Sequence, residues 1–257
     1  MFKSVSCLIL FYFLSGPVFS QSKIISFSNK HISYEGRILY KNDAAVLTWP
    51  GTSVTINFKG TNISGTFKDE DTSNYYNVII DNDSIYRIQF DTSLKTVVLA
   101  QGLKYGKHSV QLFKRTEWDK GKTWFYGFDF EGENKLLEPA KPAKRKIEFF
   151  GNSITCGYAI NDTVHDSPDG YYENNYDAYA AITARHFNAQ YYCTSKSGIG
   201  IMISWFTLIM PEMYDRIDPT DSTSKWDFSK YTPDLVVINL FQNDSWIVKQ
   251  PGHEQFK

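Results

Sequence analysis

Apolar and polar residues alternate along most of the chain between residue 22 and about residue 132. Val54-Thr55-Ile56-Asn57-Phe58 is the clearest run, and 76–80, 85–90, 96–100, 108–113 and 124–130 repeat the theme. Successive strand side chains point to opposite faces, so such runs predict strands with one buried face. Turn residues separate them: Pro50-Gly51, Lys59-Gly60, Asp81-Asn82-Asp83 and Tyr105-Gly106. Many short strands without helical periodicity predict an all-β sandwich over residues 22–135.

The pattern changes near residue 135. Residues 131–146 hold Pro139, Pro142 and five lysines or arginines. This reads as a solvated linker, assigned to residues 136–146, with no function of its own. From residue 147 the order becomes strand, helix, strand. Ile147-Glu148-Phe149-Phe150 is a short strand. Asn175 is expected to cap a helix over Tyr176 to Phe187, with Tyr176, Tyr179, Ala180, Thr183 and Phe187 on one stripe. Gln190 to Cys193 reads as a second strand, and Leu208 to Tyr214 as a short helix around Pro211. Leu235 to Leu240 is nearly all apolar, as expected of a strand buried on both faces. An α/β region with a parallel sheet is therefore expected over residues 147–257.

The first twenty residues stand apart. Lys3 is their only charge, an apolar run follows from Val5 to Leu14, and Val18-Phe19-Ser20 precedes Gln21. That is the pattern of a secretory leader over residues 1–20, so a secreted or periplasmic location is expected. The run is too short to span a bilayer, and no membrane association is expected after cleavage. Export leaves Cys156 and Cys193. The compartment allows a disulfide, but two buried free thiols is the preferred reading. A net charge of −1 argues against nucleic acid, which needs a basic footprint. No zinc-type Cys/His spacing is present, and no metal is expected. Aromatic residues make up 16% of the chain. β-Core packing is expected to account for most of them; for Trp49, Trp118 and Trp124 it is also preferred over the alternative of stacking on sugar rings.

The residues suited to chemistry lie where strands of the parallel sheet end, the usual place for active groups in such sheets. The first strand runs into Gly151-Asn152-Ser153. A serine at a sharp turn before a helix exposes its hydroxyl, and its N–H can receive an oxyanion. The second is followed by Ser197-Gly198-Ile199-Gly200, where glycine lets the backbone approach a ligand. The third is followed by Asn243-Asp244, whose carboxamide can donate to an oxyanion. Alone, each also fits an ordinary helix cap, glycine turn or Asx turn.

Together and in this order they resemble the SGNH (GDSL-type) hydrolases. The stretches Ile147 to Tyr158, Ser197 to Ile201, Met210 to Arg216 and Pro233 to Leu240 are similar to carbohydrate esterase family 2. The resemblance implies a jelly-roll-like sandwich followed by an SGNH domain. It implies Ser153 as nucleophile, with an oxyanion hole of the Ser153 and Gly198 N–H groups and the Asn243 side chain. It also implies deacetylation of plant polysaccharides such as xylan and mannan without a cofactor. Two departures stand out: Asn152 replaces the common aspartate, and Phe241-Gln242 lies where the family often has a glycine before Asn-Asp. A non-catalytic carbohydrate-binding protein and a lipase or thioesterase of the same superfamily are the alternative readings.

A serine needs a base to take its proton. The family's histidine, from a loop near the C-terminal end of the domain, has no match here. His31 and His108 lie in the sandwich, His165 in a polar loop and His186 at a helix end; His253 is a poor candidate. Only three parallel strands are visible, where such sheets have about four to six, and the last would expose an apolar edge. The expectation is a chain truncated before its base and inactive or very weak by itself.

Overall fold

The computed structural model describes residues 23–130, 132 and 134–252. The leader, Cys7 and His253 lie outside the described residues.

Among the described residues, two antiparallel sheets of six strands each form the first part. One has the order Ile38–Lys41, Ala44–Leu47, Thr123–Phe130, Ile63–Asp69 and Lys95–Ala100, with Lys23–Ser26 also paired to Thr123–Phe130. The other has the order Lys135–Leu136, Ser53–Gly60, Gly106–Lys114, Tyr75–Ile80 and Ser84–Gln89. Ile32–Glu35 pairs with the beginning of Ser53–Gly60. Alternate residues of both sheets meet in one core. Phe58, Tyr76, Val110 and Leu112 pack there with Phe67, Phe125, Phe128 and Phe130 from the opposite sheet. Rings touch across it, as in Phe58 with Phe130 at 5.5 Å between centroids. Seven aromatic side chains are buried in this core, so β-core packing accounts for only part of the aromatic content.

The second part is, among the described residues, a three-stranded parallel sheet, with Arg145–Gly151 central between Ala189–Ser195 and Leu235–Asn239. Ala180, Ala181 and Ala184 of helix Tyr179–His186 pack on Phe149 and Tyr191. Phe150, Ile199, Met210 and Met213 form a further cluster with Trp49 of the sandwich. Trp49 is fully buried and its Nε1 donates to the Ile217 carbonyl at 2.7 Å, so it offers no sugar platform.

Two expectations are corrected here. Asn175 caps no long helix. It opens a 3₁₀ turn, Asn175–Asp177, and the α-helix begins only at Tyr179. The buried Asn175 side chain instead donates to the Thr155 carbonyl at 2.8 Å and accepts from the Tyr191 hydroxyl at 3.0 Å. The predicted stripe holds in part: Ala180 is buried and Tyr176 and Tyr179 pack against the same cluster, whereas Phe187 is exposed and Ala181 and Ala184 complete the buried face. Leu235–Asn239 is not buried on both faces. It is an edge strand among the described residues, with Leu235, Val236 and Ile238 exposed by 53%, 46% and 66%.

Buried polar contacts tie the two parts together. Arg37 reaches from the sandwich to Glu148 at 2.8 Å. Arg115 Nε donates to the Glu173 carbonyl at 3.2 Å, and Lys122 pairs with Asp218 at 2.7 Å. Cys156 and Cys193 are buried free thiols, with the Ser195 hydroxyl 3.2 and 3.1 Å from their sulfurs. No helix among the described residues is long and apolar enough to cross a membrane.

Candidate active site

The central strand of the parallel sheet turns sharply at Gly151-Asn152 into the one-turn helix Ser153–Cys156. A Cβ on Gly151 would lie 1.9 Å from Thr155 Oγ1, so the turn requires glycine there. Asn152 is the cap: its Oδ1 accepts from the Ile154 N–H at 3.1 Å. Its Nδ2 donates to Gln242 Oε1 at 2.6 Å, and Gln242 Nε2 donates in turn to Asn239 Oδ1 at 2.6 Å. The residue in place of the common aspartate thereby links two strand ends. Because Asn152 does the capping, the Ser153 hydroxyl is left without a hydrogen bond to another described residue.

Ser153, Gly198 and Asn243 line one cleft of about 540 Å³. Gly198 has φ +80°, in the left-handed region where an L side chain is strained. The Ser153 and Gly198 amides have no acceptor among the described residues. The Asn243 carboxamide is oriented from both ends. Its Oδ1 accepts from Trp205 Nε1 at 3.2 Å, and its Nδ2 donates to the Ile199 carbonyl at 2.8 Å. The exchanged orientation would set donor against donor. One Nδ2 hydrogen remains for a ligand. The neighbouring Asp244 is buried and accepts from the N–H groups of Ile201 (3.0 Å), Met202 (2.6 Å) and Ile203 (3.1 Å). It ties the segment after Gly200 to the helix Gln242–Ile247, which carries Asn243.

Phe241, one of the two residues where the resembled family often has a glycine, has φ +85°. This torsion costs an L residue roughly 1–2 kcal/mol. The ring is 55% exposed, so little packing offsets the strain. Phe241→Gly is expected to raise stability by about 0.5–1 kcal/mol after glycine's own entropy cost, read as a higher urea midpoint. A lower midpoint would show that the ring's contacts outweigh the torsion.

Several cleft residues gave no sequence signal. Asp166, Trp205 and Phe206 are these, and they complete the walls with Ile154, Tyr158 and Ser197 from the family-like stretches. Trp205 is 58% exposed. Trp118, a candidate sugar platform, instead packs partly buried against the cluster around Trp49. The four described histidines do not line the cleft. His31 contacts Glu138 and Asn29, His108 contacts Asp81, and His165 and His186 are exposed. Among the described residues no cluster of His, Cys, Asp or Glu could hold a metal ion.

Below the Ser197–Gly198 turn lies a buried charge cluster that sequence reading also missed. Glu117 and Glu173 are buried together; Lys196 lies 3.0 Å from Glu117, and Lys120 lies 3.5 Å from Glu173. Burial, then the charge of Glu117, pushes the Glu173 carboxyl up to about 7, and Lys120 offsets only part of this. A raised carboxyl favours the folded state below its unfolded value of 4.5, and that contribution disappears as pH rises through about 7. Between pH 5 and 8 the protein is therefore expected to lose stability relative to Glu173→Gln. Urea unfolding at both pH values checks this; an unchanged gap would assign the titration elsewhere.

The comparisons agree with this architecture. The model described as carbohydrate esterase 2 N-terminal matches residues 34–139. The chain is 41% identical to the cellulase/esterase CelE of Acetivibrio thermocellus over 222 residues, which are 84% of this chain and 27% of that protein. It is 29% identical to an acetylxylan esterase / glucomannan deacetylase of Cellvibrio japonicus, over 91% of this chain and 68% of that one. A solved active-site mutant of a family two carbohydrate esterase from Clostridium thermocellum is 39% identical, with a TM-score of 0.78 over 84% of this chain and 67% of that one. The chain thus spans about a quarter of the first relative and about two thirds of the others. On sequence and fold together, the chain belongs to carbohydrate esterase family 2.

Proposed function

We propose that this protein is a serine esterase that removes O-acetyl groups from polysaccharides of the xylan and mannan type. The observation that carries the reading is the meeting of the Ser153 hydroxyl with three partly unsatisfied donors in one cleft: two backbone amides and the Asn243 carboxamide. Ser153 Oγ attacks the acetyl carbonyl carbon, and its proton passes to a base. The carbonyl oxygen becomes an oxyanion that the donors of Ser153, Gly198 and Asn243 stabilise. The ester C–O bond breaks, the sugar oxygen takes the proton, and acetyl-serine remains. Water then attacks the acetyl group, releasing acetate and restoring Ser153.

The base is assigned to a histidine outside the described residues. No organic cofactor or metal takes part in this scheme. The cleft suits a neutral glycan: Asp166 and Tyr158 can bond to sugar hydroxyls, exposed Trp205 presents a flat apolar face, and the Asp166 charge disfavours uronates. The mixed lining favours acetyl over a long acyl chain. In this reading the family relation extends to a jelly-roll-like domain over residues 22–135, a linker over 136–146 and an SGNH-type domain from residue 147. The leader over residues 1–20 directs the protein out of the cytoplasm.

The test is acetate release by the natural full-length protein from acetylated xylan and glucomannan, against 4-nitrophenyl octanoate. Acetyl substrates are expected to be preferred by at least about tenfold, since pocket fit to acyl length discriminates on this scale. Sugar binding without acetate release would favour the binding-protein reading, and octanoate preference the lipase reading.

A further inference from the structure

We infer that the β-sandwich aims the oxyanion-binding turn of the parallel-sheet region through the carboxylate of Glu117. The inference rests on the esterase reading and adds a positioning residue to it. Glu117 lies between strands Gly106–Lys114 and Thr123–Phe130, at the start of the 3₁₀ turn Trp118–Lys120. It is 1% exposed, although it belongs to a connection between sandwich strands, a place usually on the surface.

Its Oε2 accepts from the Ser197 N–H at 2.7 Å and from Lys196 Nζ at 3.0 Å. The Cys156 sulfur, at the end of the Ser153 helix, lies 3.7 Å from the same oxygen and 3.2 Å from the Ser195 hydroxyl. One carboxylate oxygen thus touches both segments that carry the proposed oxyanion amides. The backbone of Glu117 is itself held, since its N–H donates to Glu173 Oε2 at 2.9 Å. Its carbonyl accepts from Lys114 Nζ at 3.4 Å.

The position held matters because of its neighbour. Gly198 follows Ser197 directly and has no Cβ to restrict its torsions, so the direction of its N–H depends on how the preceding residues are anchored. A hydrogen bond to a carboxylate is about twice as strong as one between neutral groups. Lys196 lies 3.0 Å from both Glu117 and Asp119, which keeps the buried carboxylate compensated. Asp119 touches Lys196 and makes no bond to Ser197. The two acids therefore separate the charge on Lys196 from the anchoring of Ser197.

The experiment compares Glu117→Ala, Glu117→Gln and Asp119→Asn in the natural full-length protein, by hydrogen exchange and by 4-nitrophenyl acetate kinetics. In Glu117→Ala, exchange over residues 196–199 is expected to rise at least about tenfold, as in local opening, while strands Gly106–Lys114 and Arg145–Gly151 stay protected. The same variant should lose kcat by about 100-fold, the scale of a 1 Å misplacement, with KM within about threefold. Glu117→Gln keeps an acceptor but not the charge, and should lose about tenfold in kcat. Asp119→Asn should stay near wild type in both readouts. Unchanged exchange over 196–199 in Glu117→Ala, or an Asp119→Asn effect as large, overturns the inference. If Glu117→Ala does not fold, wild-type kcat and exchange in Glu117→Gln overturn it. If the wild type releases no nitrophenol, the esterase reading fails and exchange alone decides whether Glu117 is the anchor.

Discussion

Ser153→Ala is expected to lower acetyl release by the natural full-length protein by about 10⁴-fold or more, as removal of a serine nucleophile does elsewhere. The oxyanion donors remain in that variant, so a residual rate above the uncatalysed one is compatible with the scheme. Stability should hardly move. Asn152 carries the helix cap, and the Ser153 hydroxyl bonds to no other described residue. Acetate assays give the rate and thermal unfolding gives the control. A variant retaining a tenth of the wild-type rate with an unchanged melting profile would remove Ser153 from the mechanism.

The second large effect concerns stability. Arg37 is 1% exposed and pairs with buried Glu148 at 2.8 Å. Its Nη1 donates to the carbonyls of Tyr214 and Arg216 at 2.5 and 2.9 Å. Its guanidinium lies 5.5 Å from the rings of Trp226 and Phe228. Arg37→Ala would leave Glu148 buried without its partner, at a cost of about 3–5 kcal/mol. That corresponds to a melting point lower by about 10 °C in a protein of this size. Removing both charges in Arg37→Met with Glu148→Leu should recover most of the loss, since apolar replacements of a buried pair are often neutral. A loss below about 1 kcal/mol in the single variant would mean that water reaches Glu148.

The sequence made some of this legible for a clear reason. Strands such as Ser53–Gly60 and Gly106–Lys114 bury one face, and period-two alternation reports that directly. Short strands such as Ile32–Glu35 carry too few residues to show a period, and they went unread. The Ser153, Gly198 and Asn243 positions were found through short local patterns after strands. Contacts between distant segments leave no such pattern. Glu117 and Ser197 are 80 residues apart, and nothing near Glu117 marks it as buried. Asn175 looked like a helix cap because Asn commonly is one; a fold-specific bond to Thr155 claims it instead. The apolar run at Leu235–Asn239 implied burial on both faces, whereas the small number of parallel strands implied the exposed apolar edge that is found, because sheet position decides burial.

Trp49, Arg37, Arg115, Glu117 and Lys122 all leave the sandwich to bond inside its neighbour. Neither half is a detachable cassette. A chimera that exchanged the sandwich for an unrelated carbohydrate-binding module would preserve every letter around Ser153 and still discard the masonry on which that serine's surroundings rest.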